Sequence, residues 1–164
     1  MKQVRVSETH WAMVKDEDYA VVALLKWRLK VVGRNHCAVT SIDGHEMSMH
    51  RLVMGAARGT VVDHIDGDGL NNQRENLRFC TRAQNFQNAG HRQTPGRTSR
   101  YKGVWRVKKG CRRCWRAGIT ANRVYRNIGS YWTEKEAAKA YDEEAKMRHG
   151  QFARLNFPPL PTVP

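Results

Sequence analysis

The chain has 164 residues, 40% of them hydrophobic and 27% charged, a length that suits one ordinary domain or two small ones. The longest nearly apolar run, Ala20 to Leu25, is far shorter than the roughly 20 residues of a membrane helix, and no apolar signal core follows Lys2. These features exclude a large multidomain enzyme and predict a cytoplasmic protein that is not secreted. The formal net charge of +14 predicts a polyanionic partner.

The excess positive charge is concentrated in the second half of the chain. Residues 91–164 contain 17 Lys and Arg against 5 Asp and Glu, and residues 91–133 contain 12 basic residues and no acidic one. The same stretch contains six aromatic residues, which favours a folded basic domain over a solvated tail. Because DNA phosphates select such a surface, we expect double-stranded DNA as the partner, and neither a membrane nor a small-molecule substrate.

A group of short strands, a hairpin and a short helix are predicted before the middle of the chain. Asp43-Gly44 is a favourable two-residue turn between strands, and Thr81 suits the N-cap of the helix. Packing of the helix against the hairpin would bring Asp63 and His64 near Asn85, which makes a compact ββα unit. The predicted strands are 27–32, 37–40, 46–49, 61–64 and 77–80, and the helix is 82–88.

A second domain is predicted after a basic linker, 89–100, which contains Pro95-Gly96 and lacks apolar periodicity. Three β-rich runs predict a three-stranded antiparallel sheet, and the capping box of Thr133 and Glu136 starts one helix that ends at Gly150. The fold class is therefore α+β. The strands are 103–108, 114–120 and 124–131, the helical stripe is Ala137, Ala140, Tyr141 and Ala145, and the tail is 158–164.

Alternation along these strands separates a core face from a polar face, which is the candidate DNA-contact face. The core face is predicted to contain Trp115, Ala117, Ile119, Val124 and Ile128. The polar face is predicted to contain Arg116, Gly118, Thr120, Arg123, Tyr125 and Asn127.

The motif formed by Asp63-His64, Asn76 and Asn85 resembles, in order and spacing, the ββα-metal motif of the HNH homing endonucleases. The flanking strings MHRLVMGA and VVDHIDGDGLNNQRENLRFCTRAQNFQN are similar to that family as well. The resemblance implies a phage- or bacterial-type HNH nuclease domain over residues 1–88, in which an N-terminal β extension precedes the motif.

A divalent cation, Mg²⁺ or Mn²⁺ or another, is expected at this motif. Asp63 and Asn85 offer the oxygen donors that a hard cation prefers, and they leave positions for a scissile phosphate and water. His64 points to the other side of the extended strand and suits a general base. In the family the middle motif residue positions the loop or the histidine, and the resemblance carries this role to Asn76.

Three neighbouring residues are candidates for auxiliary roles. Asp66 does not belong to a calcium loop, because Leu70 and Asn71 stand where such a loop needs a ligand and a glycine. Asp66 therefore suits either a loop-forming carboxylate or an auxiliary metal ligand. His50 and Arg51 match the family motif, and packing, phosphate contact and catalysis all remain open for them.

Four cysteines are too few for a disulfide scaffold, and we expect reduced thiols. Cys111 and Cys114 form one C-x-x-C pair, whereas structural zinc needs four ligands and Cys37 and Cys80 are isolated. A zinc site is therefore not expected, and Cys111 and Cys114 are interpreted as residues of a strand and its turn.

The second half contains the strings YKGVW, WRAGI, NIGSYWTEKEAAKAYDEEA and GQFARLNFP, which are similar to the apetala-two/ethylene-response-factor DNA-binding domain over residues 101–157. This resemblance implies that the sheet enters the major groove. Because Trp105 stands where plant members have arginine, their base preference does not transfer. The candidate DNA contacts are Lys102, Trp105, Arg106, Lys108, Arg112, Arg113, Arg116, Arg123 and Tyr125.

Together the two domains predict a site-preferring, metal-dependent DNA endonuclease of the homing type. One ββα site cuts one strand, so a monomer would nick DNA and a homodimer would make a double-strand break. The alternative is a DNA-binding regulator with an inert HNH module. RNA binding is less favoured because nothing resembles an RNA-binding module.

Overall fold

The structure is a computed structural model that describes residues 1–33, 35–91, 96–107 and 111–159. The chain divides into two compact units, Met1–Asn85 and Phe86–Pro164. Within the described ranges, no helix is both long enough and apolar enough to span a membrane. The division falls inside the helix that the sequence predicts over 82–88.

The first unit consists of small antiparallel sheets and short helices, in agreement with the α+β class. Its elements are β1 (Lys2–Arg5), β2 (Trp11–Val14), α1 (Asp16–Val22), β3 (Arg28–Val32), β4 (Asn35–Ile42), β5 (His45–Ser48), α2 (Met49–Val53), β6 (Val61–His64), β7 (Leu77–Cys80) and the start of α3 (Arg82–Asn88). β1 pairs with β2, β6 pairs with β7, and β3, β4 and β5 form a three-stranded sheet in that order.

The strands predicted in this unit are confirmed as β3 to β7. Asp43 and Gly44 have φ angles of 49° and 77°, the left-handed pair that a tight two-residue hairpin turn requires. Four elements, β1, β2, α1 and α2, were not predicted from the sequence. These elements are each seven residues or shorter, and the turn between β1 and β2 contains neither glycine nor proline.

The predicted order of strand, strand and helix is present as β6, β7 and α3. Thr81 begins α3 with a reciprocal capping box, since Gln84 N donates to Thr81 Oγ1 at 3.2 Å and Thr81 N donates to Gln84 Oε1 at 2.8 Å. Val62 of β6 and Met49 of α2 belong to one apolar core, together with side chains from β1 to β4 and α1. This shared core holds α2 against the hairpin.

The second unit is a three-stranded antiparallel sheet that packs on one long helix. Its elements are β8 (Val104–Arg106), β9 (Trp115–Ala121), β10 (Val124–Tyr131) and α4 (Glu134–His149). The strand order β10-β9-β8 makes β9 central. The core joins Val104, Ala117 and Ile119 of the sheet to the buried face of α4. Ala138 is fully buried in that face, whereas the predicted Ala140 is only half-buried.

Both predicted ends of α4 are confirmed. Thr133 and Glu136 form the reciprocal capping box, and Gly150 follows the helix with φ of 53°. At the start of the unit, Gly103 has φ of 73°, and a Cβ added there would lie 2.0 Å from the ring of Tyr141. This close approach of the backbone to α4 therefore requires glycine.

A buried carboxylate on α4 fixes the chain that follows the helix. Asp142, 3% exposed, accepts hydrogen bonds from Asn156 N at 2.8 Å, Asn156 Nδ2 at 3.0 Å and Phe157 N at 2.8 Å. Asn156 in turn accepts from Lys102 N at 2.7 Å and donates to Lys102 O at 3.1 Å. One carboxylate thus links both ends of the unit.

We expect Asp142→Ala to lower the free energy of unfolding of the second unit by about 3 kcal/mol, because two backbone N–H groups lose their acceptor. Urea unfolding checks this. The control is Glu143→Ala, which removes an exposed carboxylate paired with Lys146 on the same helix and should cost about 0.5 kcal/mol or less. Equal losses from the two variants would contradict the role given to Asp142.

Candidate functional site

The hairpin register pairs the first motif aspartate with an arginine. Asp63 lies directly opposite Arg78, and His64 lies directly opposite Leu77. Because side chains alternate along a strand, Asp63 and His64 project to opposite faces of the hairpin. Arg78 Nε and one Nη donate to Oδ2 of Asp63 at 3.0 and 2.8 Å, and the two side chains are only 11% and 6% exposed. The pair is therefore a buried ion pair.

His64 is held by an amide that is completely buried. The ring atom Nε2 of His64 lies 3.3 Å from Oδ1 of Asn72, which is 0% exposed. Asn72 Nδ2 donates to the Leu70 carbonyl at 3.1 Å, and Asn72 N donates to the Met13 carbonyl at 2.8 Å. Two backbone carbonyls thus fix the position of Asn72 independently of its contact with His64.

A second histidine packs against His64. The ring of His50 on α2 meets the ring of His64 edge to face, with centroids 4.8 Å apart and an angle of 71° between the planes. Burial, with the neighbouring His64 and Arg51, lowers the pKa of His50 to about 4. Burial also lowers the pKa of His64, although the hydrogen bond with Asn72 and the nearby aspartates oppose this shift. Both rings are therefore neutral at neutral pH.

The pKa of His50 predicts a loss of stability in acid. The unfolded chain binds a proton at His50 near pH 6.5 and the folded chain does so only near pH 4, so stability falls as the pH drops through this window. The loss attributable to His50 is about 3 kcal/mol. In urea unfolding, His50→Gln should show a shallower pH dependence than the wild-type protein, while His45→Gln, at an exposed histidine of β5, should keep the wild-type slope.

Asn76 ties together the loop that follows β6. Its Oδ1 accepts from Asp66 N at 3.1 Å, its Nδ2 donates to Asp66 Oδ1 at 2.9 Å and to the Asn71 carbonyl at 2.8 Å, and its carbonyl accepts from Ile65 N at 2.8 Å. Asn76 is 8% exposed and lies at the end of a 3₁₀ turn, Arg74–Asn76. These bonds fix the backbone immediately after His64.

Asp66 organises the same loop from its other side. Its Oδ1 also accepts from Asp68 N at 2.8 Å, and its Oδ2 accepts from Asn71 Nδ2 at 2.7 Å. Both carboxylate oxygens therefore form hydrogen bonds within the loop, which favours the loop-forming role over the metal-ligand role.

Asn85 lies in the first turns of α3 with an exposed side chain, and its N–H donates to the Thr81 carbonyl at 3.0 Å. Burial raises the pKa of Cys80 and the Asp63 carboxylate raises it further, whereas Arg78 and a hydrogen bond from the Asn85 backbone lower it.

The donor set suits a hard divalent cation. Asp63 offers carboxylate oxygens and Asn85 an amide oxygen, which are the ligand types that Mg²⁺ and Mn²⁺ accept in proteins. Among the described residues, His, Cys, Asp and Glu nowhere form a group of three or more that could hold a metal ion. Two protein ligands would leave such a cation several coordination positions for water and phosphate.

Arg51 has a structural environment. Its two Nη atoms donate to the carbonyls of Ala56 at 3.3 Å, Ala57 at 2.8 Å and Thr60. The guanidinium thus closes the loop between α2 and β6. Of the roles left open for Arg51, these contacts favour packing.

Three predicted DNA contacts lie on the sheet face that points away from α4. Trp105 and Arg116 are directly opposite each other on β8 and β9, and Tyr125 is opposite Thr120. Arg116 alternates with Ala117, which is 0% exposed and packs against the helix.

Tyr125 lies across Gly118 on this outer face. A Cβ added at Gly118 would meet the Tyr125 hydroxyl at 2.5 Å, so the glycine provides the space for the aromatic ring. Tyr125 is 57% exposed. The ring therefore lies flat on the sheet with one face available to a ligand.

Three other predicted contacts have different environments. Lys102 donates its ammonium to the carbonyls of Gln87 and Ala89, at 2.7 Å for Ala89, and burial lowers its pKa to about 8. Arg106 is opposite Trp115 and stacks on its ring at 5.8 Å, so it lies on the helix side of the sheet. Arg123 lies in the turn between β9 and β10, not on a strand, with φ of 65°. Lys108 is outside the described residues.

The loop before β9 presents Arg112 and Arg113 to solvent, and Arg113 stacks on the Trp132 ring at 5.6 Å. The Cys114 thiol donates to the Cys111 carbonyl in the same loop. These contacts are typical of a turn.

The predicted core position of Val124 is wrong, because this side chain is 66% exposed. Val124 is opposite Ala121, on the same side of the sheet as Ile119, but it lies at the end of β10 beside the turn; the bulge between Asn127 and Gly129 comes later in the strand. Ile128, at the bulge, remains packed against the core.

Two residues of the candidate site, Asn72 and Arg78, were not predicted from the sequence. Pairing the predicted strands 61–64 and 77–80 in full antiparallel register would have placed Arg78 opposite Asp63. No sequence signal distinguishes Asn72 from Asn71, because its contact with His64 depends on the path of the loop.

The similarity of the chain to known proteins covers both units. A family model for HNH endonuclease matches residues 49–87. An uncharacterised HNH endonuclease, L560, of Acanthamoeba polyphaga mimivirus is 30% identical over 152 residues, which cover 89% of this chain and 74% of that protein. Protein 3.8 of Escherichia phage T7 is 36% identical over 112 residues, which cover 65% of this chain and 88% of that protein. No solved structure matches the chain significantly. The extent of the similarity to the mimivirus endonuclease shows that the chain belongs to the HNH endonuclease family.

Proposed function

We propose that this chain is a metal-dependent DNA endonuclease of the homing type that hydrolyses phosphodiester bonds at the site of Asp63, His64 and Asn85. The observation that carries the proposal is the state of His64, a half-buried histidine beside Asp63 with a lowered pKa and a ring fixed by Asn72. A general base must be neutral at the working pH and correctly oriented, and His64 meets both conditions.

The hydrogen bonds of Asn72 identify the basic atom of His64. Because Asn72 Nδ2 donates to the Leu70 carbonyl, its Oδ1 is the atom that faces the histidine and can only accept. His64 Nε2 then carries the proton and donates it to Asn72. Nδ1 is then the unprotonated ring nitrogen, and we assign to it the proton transfer from the attacking water.

Asp63 and Asn85 are the proposed metal ligands. A divalent cation bound there would stabilise the negative charge on the phosphate and on the leaving oxygen. Asn76 is the proposed positioning residue, because its four hydrogen bonds hold the loop that directly follows His64. His50 packs on the His64 ring and would limit its rotation.

The second unit is the proposed DNA-binding domain. Its sequence resembles the apetala-two/ethylene-response-factor domain, and its outer face carries Trp105, Arg116 and Tyr125, so we assign this face to the major groove. Arg112 and Arg113 in the exposed loop are assigned to phosphates. Lys102 is assigned a structural role instead, because carbonyls already occupy its ammonium.

A single site per chain implies that a monomer nicks one strand and that two copies are needed for a double-strand break. The second candidate, a DNA-binding regulator with an inert nuclease module, is favoured by one specific observation. Arg78 already neutralises the carboxylate that would bind the metal.

Cleavage of supercoiled plasmid separates the two candidates. The purified protein should convert the plasmid to open circles with Mg²⁺ or Mn²⁺, and excess EDTA should stop the reaction. Linear product should appear only later or at higher protein concentration. DNA binding without nicking in either metal would contradict the endonuclease and support the regulator.

A further inference from the structure

The Asp63–Arg78 pair joins a buried carboxylate to a nearly buried guanidinium at the centre of the nuclease hairpin. Two N–H groups of Arg78 converge on the same oxygen, Oδ2 of Asp63, at 3.0 and 2.8 Å. The strand register holds both residues directly opposite each other. The contact is therefore built into the pairing of β6 with β7 and does not depend on a flexible surface side chain.

A cation at Asp63 would lie within a few ångströms of this guanidinium. Two like charges at such a separation repel strongly where water is largely excluded, and the carboxylate supplies only one negative charge to share between them. Arg78 and a divalent cation therefore compete for Asp63. Asn85 and water supply no net charge, so they do not offset the repulsion.

We propose that Arg78 is an internal countercation that neutralises Asp63 before DNA binds, so that a divalent cation occupies the site strongly only after the guanidinium has moved off Oδ2. This inference rests on the proposed function, because it assumes that Asp63 is a metal ligand. It assigns to Arg78 a regulatory role in the same site, in which DNA and metal bind cooperatively.

A DNA phosphate is a suitable new partner for the displaced guanidinium. The planar fork of arginine matches phosphate as well as carboxylate. A backbone phosphate that accepts the two N–H groups of Arg78 leaves the Asp63 carboxylate to the cation. By linkage, DNA then tightens metal binding, and metal tightens DNA binding by the same factor.

Calorimetric titration of the full-length protein with Mn²⁺, in the absence of DNA, tests the competition. We expect Arg78→Gln to bind Mn²⁺ about tenfold or more tightly than the wild-type protein, because the repelling charge is gone. The matched control is Arg82→Gln, which removes one exposed arginine at the start of α3 and should leave the Mn²⁺ affinity unchanged. In Asp63→Asn/Arg78→Gln the gain should disappear, which assigns the gain to Asp63.

Arg78→Lys covers the case in which Arg78→Gln does not fold. Lysine keeps the charge but loses the two-pronged donation to Oδ2, so its Mn²⁺ affinity should lie above that of the wild type and below that of Arg78→Gln. Circular dichroism establishes which variants are folded. Mn²⁺ binding that is unchanged or weaker in the folded Arg78 variants would overturn the proposal and leave Arg78 a structural partner of Asp63.

A second titration, with DNA present, tests whether Arg78 moves from Asp63 to a phosphate. It uses the His64→Ala variant so that the DNA is not cleaved. Adding a short duplex should tighten Mn²⁺ binding by a larger factor when Arg78 is present than in His64→Ala/Arg78→Gln. Equal tightening of Mn²⁺ binding by the duplex in the two variants would overturn the proposed transfer of Arg78 from Asp63 to a phosphate. The Mn²⁺ affinities are measured without catalysis. A protein that never nicks DNA but shows the predicted order of Mn²⁺ affinities would therefore refute the endonuclease activity and support the transfer.

Discussion

Replacement of His64 by alanine is expected to lower the single-turnover rate of DNA cleavage by about a hundred- to ten-thousandfold, the usual contribution of a general base. The affinity for DNA should change by only about a few fold, because His64 belongs to the unit that lacks the basic surface. The rate is measured by plasmid nicking and the affinity by fluorescence anisotropy with a labelled duplex.

Chemical rescue adds a second readout for His64. The variant leaves a space beside His50 and Asn72, and added imidazole should restore part of the lost rate if the missing function is proton transfer. His45→Ala is the control, since it removes an exposed histidine from β5 of the same unit. Cleavage by His64→Ala at the rate of His45→Ala would exclude His64 as the base.

The second large effect is expected on DNA affinity. Replacing Arg112, Arg113 and Arg116 together by glutamine should make the slope of log affinity against log salt concentration shallower by about 2, since Arg112 and Arg113, the two residues assigned to phosphates, contribute about 0.9 each. Affinity at low salt should fall most. The measurement is the same anisotropy assay, repeated over a range of salt concentrations with the full-length protein.

The control for this experiment removes the same charge from another surface of the same unit. Lys135, Lys139 and Lys146 are exposed on α4, whereas the sheet face with Arg116 points away from that helix. Their triple replacement by glutamine should leave the salt slope nearly unchanged. A similar loss in both triple variants would mean that net charge, and not the sheet face and its loop, determines DNA binding.

The part of the nuclease site that depends on local sequence was predictable. The spacing of Asp63 and His64 on a strand, and of Asn85 after an N-cap, specifies a hairpin followed by a helix, and the structure contains β6, β7 and α3 at these positions. The loop-forming role of Asp66 was also predictable, since aspartate side chains readily accept a hydrogen bond from the backbone N–H group two residues later in the chain.

The remaining features depend on contacts between distant parts of the chain. The partner of Asp63 follows from strand register, and the partner of His64 follows from a loop whose path is fixed by Met13 and Leu70. The sequence predicts Lys102 as a surface cation, but in the folded protein its ammonium donates hydrogen bonds to nearby backbone carbonyls. Hydrophobic periodicity contains none of this information.

Val124 shows a similar limit in the second unit. Alternation predicts its face correctly, because Val124 pairs with Ala121 in a register that is continuous as far as Asn127. Alternation does not show how far the core extends, and Val124, at the end of β10 beside the turn, is 66% exposed.

A double-mutant cycle on metal-dependent cleavage tests most directly whether Asp63 and Asn85 hold one metal ion together, as proposed. The rates of Asp63→Ala, Asn85→Ala and the double variant are compared with the wild type at saturating Mn²⁺. If both residues bind one cation, either single replacement dismantles the site and the double variant is hardly slower than the worse single variant. Multiplicative losses, or cleavage by Asp63→Ala at the wild-type rate, would contradict a shared metal site.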